Sequence, residues 1–348
     1  MENRLSQDLD HVLQHTENLW ADVRGERIFL TGGTGFVGSW LLESLLWANR
    51  RLRLGIRCTV LTRDPAAFIE RRPHLACHRA VTLHAGDVRW FQFPEGRFPL
   101  AIHGATAASE KLNREDPAAM LATIVDGTSR TLSFAETAGT RRFLAISSGA
   151  VYGQQPPEVS RVPETYSGGP DPLDPRAAYA EGKRLAELLC TLHAARTGLE
   201  CLVARCFAFA GPYLPLNAHF AIGNFIGDCI GGRPIEIRGD GTPLRSYLYA
   251  ADLAIWLWTI LLRGQSLCAY NVGSEDAVSI ADLARTVGET LGSRHPVHIT
   301  GQPRHGVPAE RYVPDTGRAR RELGLEQRIP LAEAIRRTAQ WHTEAVPA

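Results

Sequence analysis

The chain has 348 residues, of which 44% are hydrophobic and 22% charged, proportions that exclude disordered, coiled-coil and collagen-like architectures. Lys and Arg number 38 against 37 Asp and Glu, a net charge of +1, which argues against a nucleic-acid partner. At roughly 150 residues per domain, the length predicts one large domain carrying a smaller one.

The first ten residues are polar and lack the basic-then-apolar pattern of a signal peptide, so the expected compartment is the cytoplasm. Leu5, Leu9, Val12, Leu13, Leu19 and Trp20 recur at helical spacing and predict an amphipathic helical extension over 1–25, packed on the main fold. From Arg27, short apolar runs alternate with helical stretches: RIFLT, a helix over 36–49, CTVLT, VTLHA, PLAIHGA, a helix over 117–138, and RFLAISS. This βαβ series predicts the α/β class, with a Rossmann-type doubly wound parallel sheet over 26–210. A loop rich in Pro, Gly and acidic residues over 154–176 leads into a helix over 177–195 and the strand-like GLECLVARCFAF. The Gly-rich turns of 211–246 then open a smaller C-terminal α/β substrate-binding domain over 211–348, with part of 247–272 returning to the first domain. The most apolar run, 253–262, is half the roughly 20 residues a membrane helix needs, so no membrane contact is expected. Seven cysteines, an odd number without a C-x-x-C pair, read as reduced core thiols, and no metal site is expected.

Thr31-Gly32-Gly33-Thr34-Gly35-Phe36-Val37-Gly38 joins the first strand to its helix. Glycines at this spacing give a tight turn, a close backbone approach to a pyrophosphate and close helix–strand packing, with the anion at the helix N-terminus. Gly32, Gly35, Phe36, Val37 and Gly38 are therefore the expected dinucleotide-binding positions. The next strand ends Leu61-Thr62-Arg63-Asp64. Thr62 stands where a carboxylate would hold the ribose of NAD, and Arg63 suits a 2′-phosphate. The cofactor expected is NAD or NADP, with a slight lean to NADP; Asp64 keeps NAD open. Asp87 and Val88, after the third strand, are placed for the adenine.

Tyr179 and Lys183 stand four apart at the start of a predicted helix, on one face. An ammonium one turn away lowers the pKa of a phenol, which then exchanges a proton with a substrate hydroxyl while hydride moves to or from a nicotinamide. Ser148, at the C-terminal end of a parallel strand, is placed to hydrogen-bond the reacting oxygen.

These pieces, in order TGGTGFVG, IHGATAAS, SSGAVYG, YAEGK, ARCFAFAGPYLP, GDGTPLRSYLYAADLA and YNVGS, resemble the extended short-chain dehydrogenase/reductases that modify nucleotide sugars, the NAD-dependent epimerase/dehydratase family. The resemblance runs from about Arg27 to the C-terminus. It implies that Ser148, Tyr179 and Lys183 are catalytic, with Tyr179 the base, and that Tyr179 and Lys183 also bind the cofactor, Lys183 on the nicotinamide ribose. It implies that Arg245 contacts the nucleotide-sugar diphosphate or base, and that Asn224 and Phe225 line the nucleotide pocket. It implies a homodimer paired through the segments beginning at Pro117 and Ala177.

Departures from the family narrow the reaction. The 4,6-dehydratases place Asp and Glu directly after the Ser or Thr, and glucuronate decarboxylases place Glu two residues after it; here those positions are Gly149 and Ala150. The expected activity is thus C4 redox chemistry on a nucleotide-linked hexose, by a 4-epimerase or a 4-keto reductase. A dehydratase or decarboxylase would need an acid or base relocated from elsewhere, such as Glu164, Tyr166 or Asp171. A non-catalytic dinucleotide sensor is the other alternative, opposed by the intact Ser148, Tyr179 and Lys183. Ala208 replaces the Asn of the family's R-x-F-N element, so substrate handling departs from the best-known members. His103 is read as a structural histidine.

Overall fold

The computed structural model describes residues 3–106, 110–218, 220–303 and 306–344; the end of IHGATAAS, 107–109, lies outside them. Seven parallel strands form the central sheet. They are β1 (Arg27–Thr31), β2 (Arg57–Thr62), β3 (Val81–Ala85), β4 (Leu100–His103), β5 (Arg142–Ser148), β6 (Glu200–Cys206) and a seventh strand, Ala269–Val272. Across the sheet the order is seventh strand, β6, β5, β4, β1, β2, β3. The direction of strand addition reverses between β1 and β4, and that switch point is where open parallel sheets bind ligands, beyond the strands' carboxyl ends. The seventh strand pairs with β6, so the chain returns to the first sheet after leaving it.

The inner strands are almost wholly apolar and buried on both faces, as parallel strands under crossover helices must be. One face is covered by the helices Pro117–Thr137 and Ala178–Thr197. The other is covered by α2 (Phe36–Leu52) and the nearly all-apolar helix Ala250–Arg263. The predicted strand GLECLVARCFAF divides: β6 ends at Cys206, and Phe209–Ala210 pairs instead with Leu248–Tyr249.

The N-terminal extension is a helix, α1 (Ser6–Thr16), followed by a 3-10 segment over Glu17–Val23 rather than one continuous helix. Three residues per turn align Trp20 with Val23, and both are buried. The extension is fastened by polar bonds as well as apolar area. Tyr249 donates to Asp8 at 2.6 Å, and Trp47 donates to Asp10 at 2.8 Å. Fully buried Asp252 accepts the amides of Arg328 and Ile329, each at 2.9 Å, and lies 3.3 Å from His11.

Beyond Gly211 lie the helices Ala221–Ile230, Ile280–Leu291 and Leu331–Thr343 and small sheets. In one of these, Leu244–Arg245 pairs antiparallel with Val278–Ser279 and parallel with Arg311–Tyr312. Of the cysteines, Cys58, Cys190, Cys201 and Cys206 are buried thiols. Cys77 is exposed, and Cys229 and Cys268 are half-buried, so the expectation of core thiols fails for these three. None of the described helices is long and apolar enough to cross a membrane.

Candidate active site

The glycine loop is a main-chain construction. Gly32 has φ 74°, left-handed backbone open to glycine, and a Cβ there would meet the Gly104 carbonyl at 2.5 Å. At Gly38 a Cβ would stand 2.3 Å from the Gly32 carbonyl oxygen, so α2 starts against the loop only because that atom is absent. The Thr31 hydroxyl accepts the amides of Gly104 and Ala105 at 3.2 and 3.1 Å, tying β1 to the end of β4.

Beside the loop runs a groove of about 200 Å³ lined by Gly32, Thr34, Thr62, Arg63, Asp64, Arg71, Asp87, Val88 and Thr106. Thr106 Oγ1 is buried there without a partner among the described residues, as befits a groove shaped for a polar ligand. Arg63 and Arg71 bring two cations to its rim. Asp64 caps the helix Pro65–Arg71, accepting from the Ala67 amide at 2.9 Å. Asp87 is gripped by Arg89 at 2.9 and 3.1 Å, which holds its carboxyl below the usual range. Of the loop's predicted residues, Phe36 faces the neighbouring cavity. Thus the structure gathers Gly32, Arg63, Asp87 and Val88 along one groove.

A larger cavity, about 610 Å³, opens beyond Phe36. Ser148 ends β5, and its hydroxyl accepts from the Ala150 amide at 3.2 Å as the chain turns into a 3-10 segment. Tyr179 is the second residue of the helix Ala178–Thr197. Asn113 fixes that helix start, accepting from the Tyr179 amide at 3.1 Å and donating to the Arg176 carbonyl at 2.9 Å. Burial raises the Tyr179 pKa, and a hydrogen bond with Ser148 opposes the rise. Lys183 Nζ donates to the Ile146 carbonyl at 2.8 Å and stands 5.9 Å from the Tyr179 ring centroid. Burial lowers its pKa to about 8. Ser148 and Tyr179 line the cavity and Lys183 is buried one helical turn on from Tyr179, but the Tyr179 phenol lies above its ordinary value rather than below it.

Arg245 reaches the same cavity, its guanidinium 2.8 Å from Glu310. Asn224 and Phe225 do not form its wall. Phe225 turns into the core, and the start of its helix, Ala221 and Ile222, faces the cavity instead. Ala208, in place of the family's Asn, adds apolar wall.

The proposed substitutes for the missing acid and base lie elsewhere. Glu164 accepts from the Asn271 amide at 2.9 Å, and burial raises its pKa. Tyr166 packs on Tyr152, and Asp171 accepts from the Leu173 amide at 2.9 Å. Arg205 is occupied beneath the site, forked on Glu187 at 3.0 and 2.7 Å and bonded to the Tyr152 hydroxyl at 2.9 Å. His103 is enclosed by the hydroxyls of Thr31 and Thr128, and burial drives its pKa to about 3, so it stays neutral.

Sequence reasoning missed Asn113, Phe207, Tyr247 and Tyr312, all on the cavity wall. The Tyr312 hydroxyl lies 3.5 Å from Ser148 Oγ. One sequence carries no mark to separate Phe207, Tyr247 and Tyr312 from ordinary core aromatics, or to show that Asn113 meets the start of a helix far along the chain.

Residues 28–273 match the NAD dependent epimerase/dehydratase family. UDP-glucuronic acid decarboxylase 1 of Xenopus tropicalis is 31% identical over 316 residues, 91% of this chain and 72% of that protein. UDP-glucuronic acid decarboxylase 1 of Arabidopsis thaliana is 30% identical, over 89% of this chain and 68% of that protein. The Thermus thermophilus UDP-glucose 4-epimerase complexed with NAD superposes with a TM-score of 0.75 at 26% identity, over 92% of this chain and 100% of that one. The fold also matches UDP-glucose 4-epimerase from Thermotoga maritima, at a TM-score of 0.78 and 22% identity, over 91% of this chain and 99% of that one. The match spans both the glycine loop and the Ser148, Tyr179 and Lys183 cluster, and the chain belongs to the NAD dependent epimerase/dehydratase family of extended short-chain dehydrogenase/reductases.

Proposed function

We propose that the protein carries out NAD(P)-dependent redox chemistry at C4 of a nucleotide-linked hexose, as a 4-epimerase or a 4-keto reductase. The observation that carries this reading is the cavity wall: Ser148 and Tyr179 reach it, and among the described residues no Asp or Glu does. Eliminating water across C5 and C6 needs one group to take the C5 proton and another to release the hydroxyl. Interconverting an alcohol and a ketone needs one proton and one hydride. A bound nicotinamide dinucleotide supplies the hydride donor or acceptor. Tyr179 moves the proton to or from the C4 oxygen, Ser148 donates a hydrogen bond to that oxygen, and the Lys183 ammonium favours the phenolate.

The relatives favour a second reading, decarboxylation of UDP-glucuronate. Oxidation at C4 makes the C5 carboxylate a β-keto acid, which loses CO₂, and a proton must then return to C5. The test is to incubate the protein with NAD(H) or NADP(H) and UDP-glucose, UDP-galactose, UDP-glucuronate or a nucleotide-linked 4-keto-hexose, then identify products by NMR. A 4-epimer supports the leading reading, and a pentose with CO₂ establishes the second. Dinucleotide binding without turnover of any sugar nucleotide overturns both in favour of a sensor.

Arg63 and Arg71 beside Thr62, with Asp64 turned into its own helix cap, support a 2′-phosphate and hence NADP. Mass spectrometry of the dinucleotide released on denaturation tests this. Stoichiometric NAD contradicts the lean to NADP and favours an internal redox cycle, hence an epimerase, dehydratase or decarboxylase over the reductase. An empty groove preferring NADPH favours the reductase.

The helices Pro117–Thr137 and Ala178–Thr197 leave Leu121, Leu185, Leu188 and Leu192 exposed, which supports a homodimer joined on this face. Sedimentation at micromolar concentration should show a dimer; a monomer contradicts it.

A further inference from the structure

Gly149 and Ala150 leave the cavity without the polar side chains that could follow Ser148, yet the space is not empty. A Cβ added to Gly149 would come within 2.8 Å of the Tyr312 hydroxyl and 2.7 Å of the Phe207 ring. A group from residue 312 thus occupies the place that a side chain at 149 would need. The Tyr312 hydroxyl lies 3.5 Å from Ser148 Oγ and 3.5 Å from the Cys206 carbonyl, and its ring packs on Phe207 with centroids 4.6 Å apart.

The backbone holds this tyrosine in position. Arg311–Tyr312 pairs in parallel with Leu244–Arg245, and Tyr312 is the register partner of Arg245, so the two side chains share one face of the small sheet. The Val313 amide donates to Gln155 at 3.0 Å, and its carbonyl accepts from the Val162 amide at 2.9 Å. The long loop over 154–176 therefore clamps the segment that delivers Tyr312.

We propose that Tyr312 is a further catalytic residue, whose hydroxyl hydrogen-bonds the C4 oxygen of the sugar beside Ser148 and Tyr179. This rests on the C4 reading of the cavity. The groups facing this hydroxyl are Tyr179 on its helix, Ser148 on β5, Cys206 on β6 and Arg245 on the paired strand. Burial pushes the Tyr312 phenol well above its ordinary value, so it keeps its proton at neutral pH and acts as a donor. The transferred proton passes between Tyr179 and the sugar oxygen, the hydride passes between C4 and the dinucleotide, and Tyr312 neither gains nor loses an atom.

Tyr312→Phe removes the hydroxyl and keeps the ring on Phe207. With the nucleotide sugar that the wild type turns over, kcat should fall about 10²-fold, the loss typical of one preorganised donor, with the melting temperature and dinucleotide affinity unchanged. A kcat within about twofold of wild type overturns the proposal, and so does a fall matched by lower melting temperature and weaker dinucleotide binding. If the wild type turns over no nucleotide sugar, the C4 reading fails on its own. Tyr312 is then read from the ultraviolet pH titration of the Tyr179 phenolate in NAD-bound protein, assigned by its absence in Tyr179→Phe. Losing a donor from the hydroxyl cluster should move that titration to higher pH in Tyr312→Phe; coincident curves overturn the coupling.

Discussion

The groove beside the glycine loop and the cavity beyond Phe36 are held together by different means. In the first, main chain presses on main chain: Gly38 against the Gly32 carbonyl, Gly32 against Gly104, and the Thr31 hydroxyl on two amides. One run of eight residues supplies most of it. The second is made of side chains brought from distant segments: Phe36, Asn113, Ser148, Tyr179, Phe207, Arg245 and Tyr312. A site built from backbone has no room for an added atom, whereas a site built from side chains changes its chemistry when one side chain is exchanged. Binding the dinucleotide and choosing the reaction are therefore separable in this fold.

That contrast breaks most visibly at Tyr179. Tyr179→Phe should lower turnover about 10³-fold, within the range for a proton-transfer group, while dinucleotide affinity and melting temperature hold; a rate loss below tenfold would remove Tyr179 from the chemistry. Gly38→Ala should do the reverse. Its Cβ would stand 2.3 Å from the Gly32 oxygen and 2.4 Å from Gly33 Cα, an overpacking costing about 1–3 kcal/mol. Calorimetric titration should show dinucleotide binding weakened about tenfold or more, and unchanged binding would contradict a backbone-limited groove.

At the groove's rim the effects are those of single side chains. Arg63→Ala should weaken NADP about tenfold, equivalent to about 1.4 kcal/mol, and leave NAD unaffected; equal losses for both would assign Arg63 a general electrostatic role. The smallest effect sharpens the cost of burying Lys183. The folded pKa of Lys183, about 8 against an ordinary 10.5, means that the unfolded chain binds more protons between those values. The destabilisation is present in full below pH 8 and is relieved as pH rises toward 10.5. Lys183→Met should therefore raise the melting temperature by a few degrees at pH 7, with the gain shrinking toward pH 10, while wild-type activity that needs the ammonium falls above about pH 8.

Legibility in the sequence follows the same division. The glycine loop could be read because its function is its backbone, and Gly32, Gly35 and Gly38 declare that directly. The alternation of strands and helices was readable because buried parallel strands must be continuous apolar runs. Ser148, Tyr179 and Lys183 were readable because one strand end and one helical turn fix them locally. Tyr312 and Asn113 were not, since their positions depend on strand pairing and on a helix start across the fold. Asn224 and Phe225 misled for a related reason: the right helix was chosen, but its rotation about its axis is set by packing against the core. Glu164 looked available in a loop, yet its carboxylate serves the Asn271 amide.

The central claim is that this cavity performs hydride chemistry at C4 without activating C5. The most direct measurement is NMR of the products formed from UDP-glucose, UDP-galactose, UDP-glucuronate and a nucleotide-linked 4-keto-hexose in D₂O with the dinucleotide supplied. Interconversion or reduction at C4 with hydrogen retained at C5 is the predicted result. Deuterium incorporated at C5, together with loss of water or CO₂, would contradict it and place an acid or base in the cavity where the structure has Gly149, Ala150 and the Tyr312 hydroxyl.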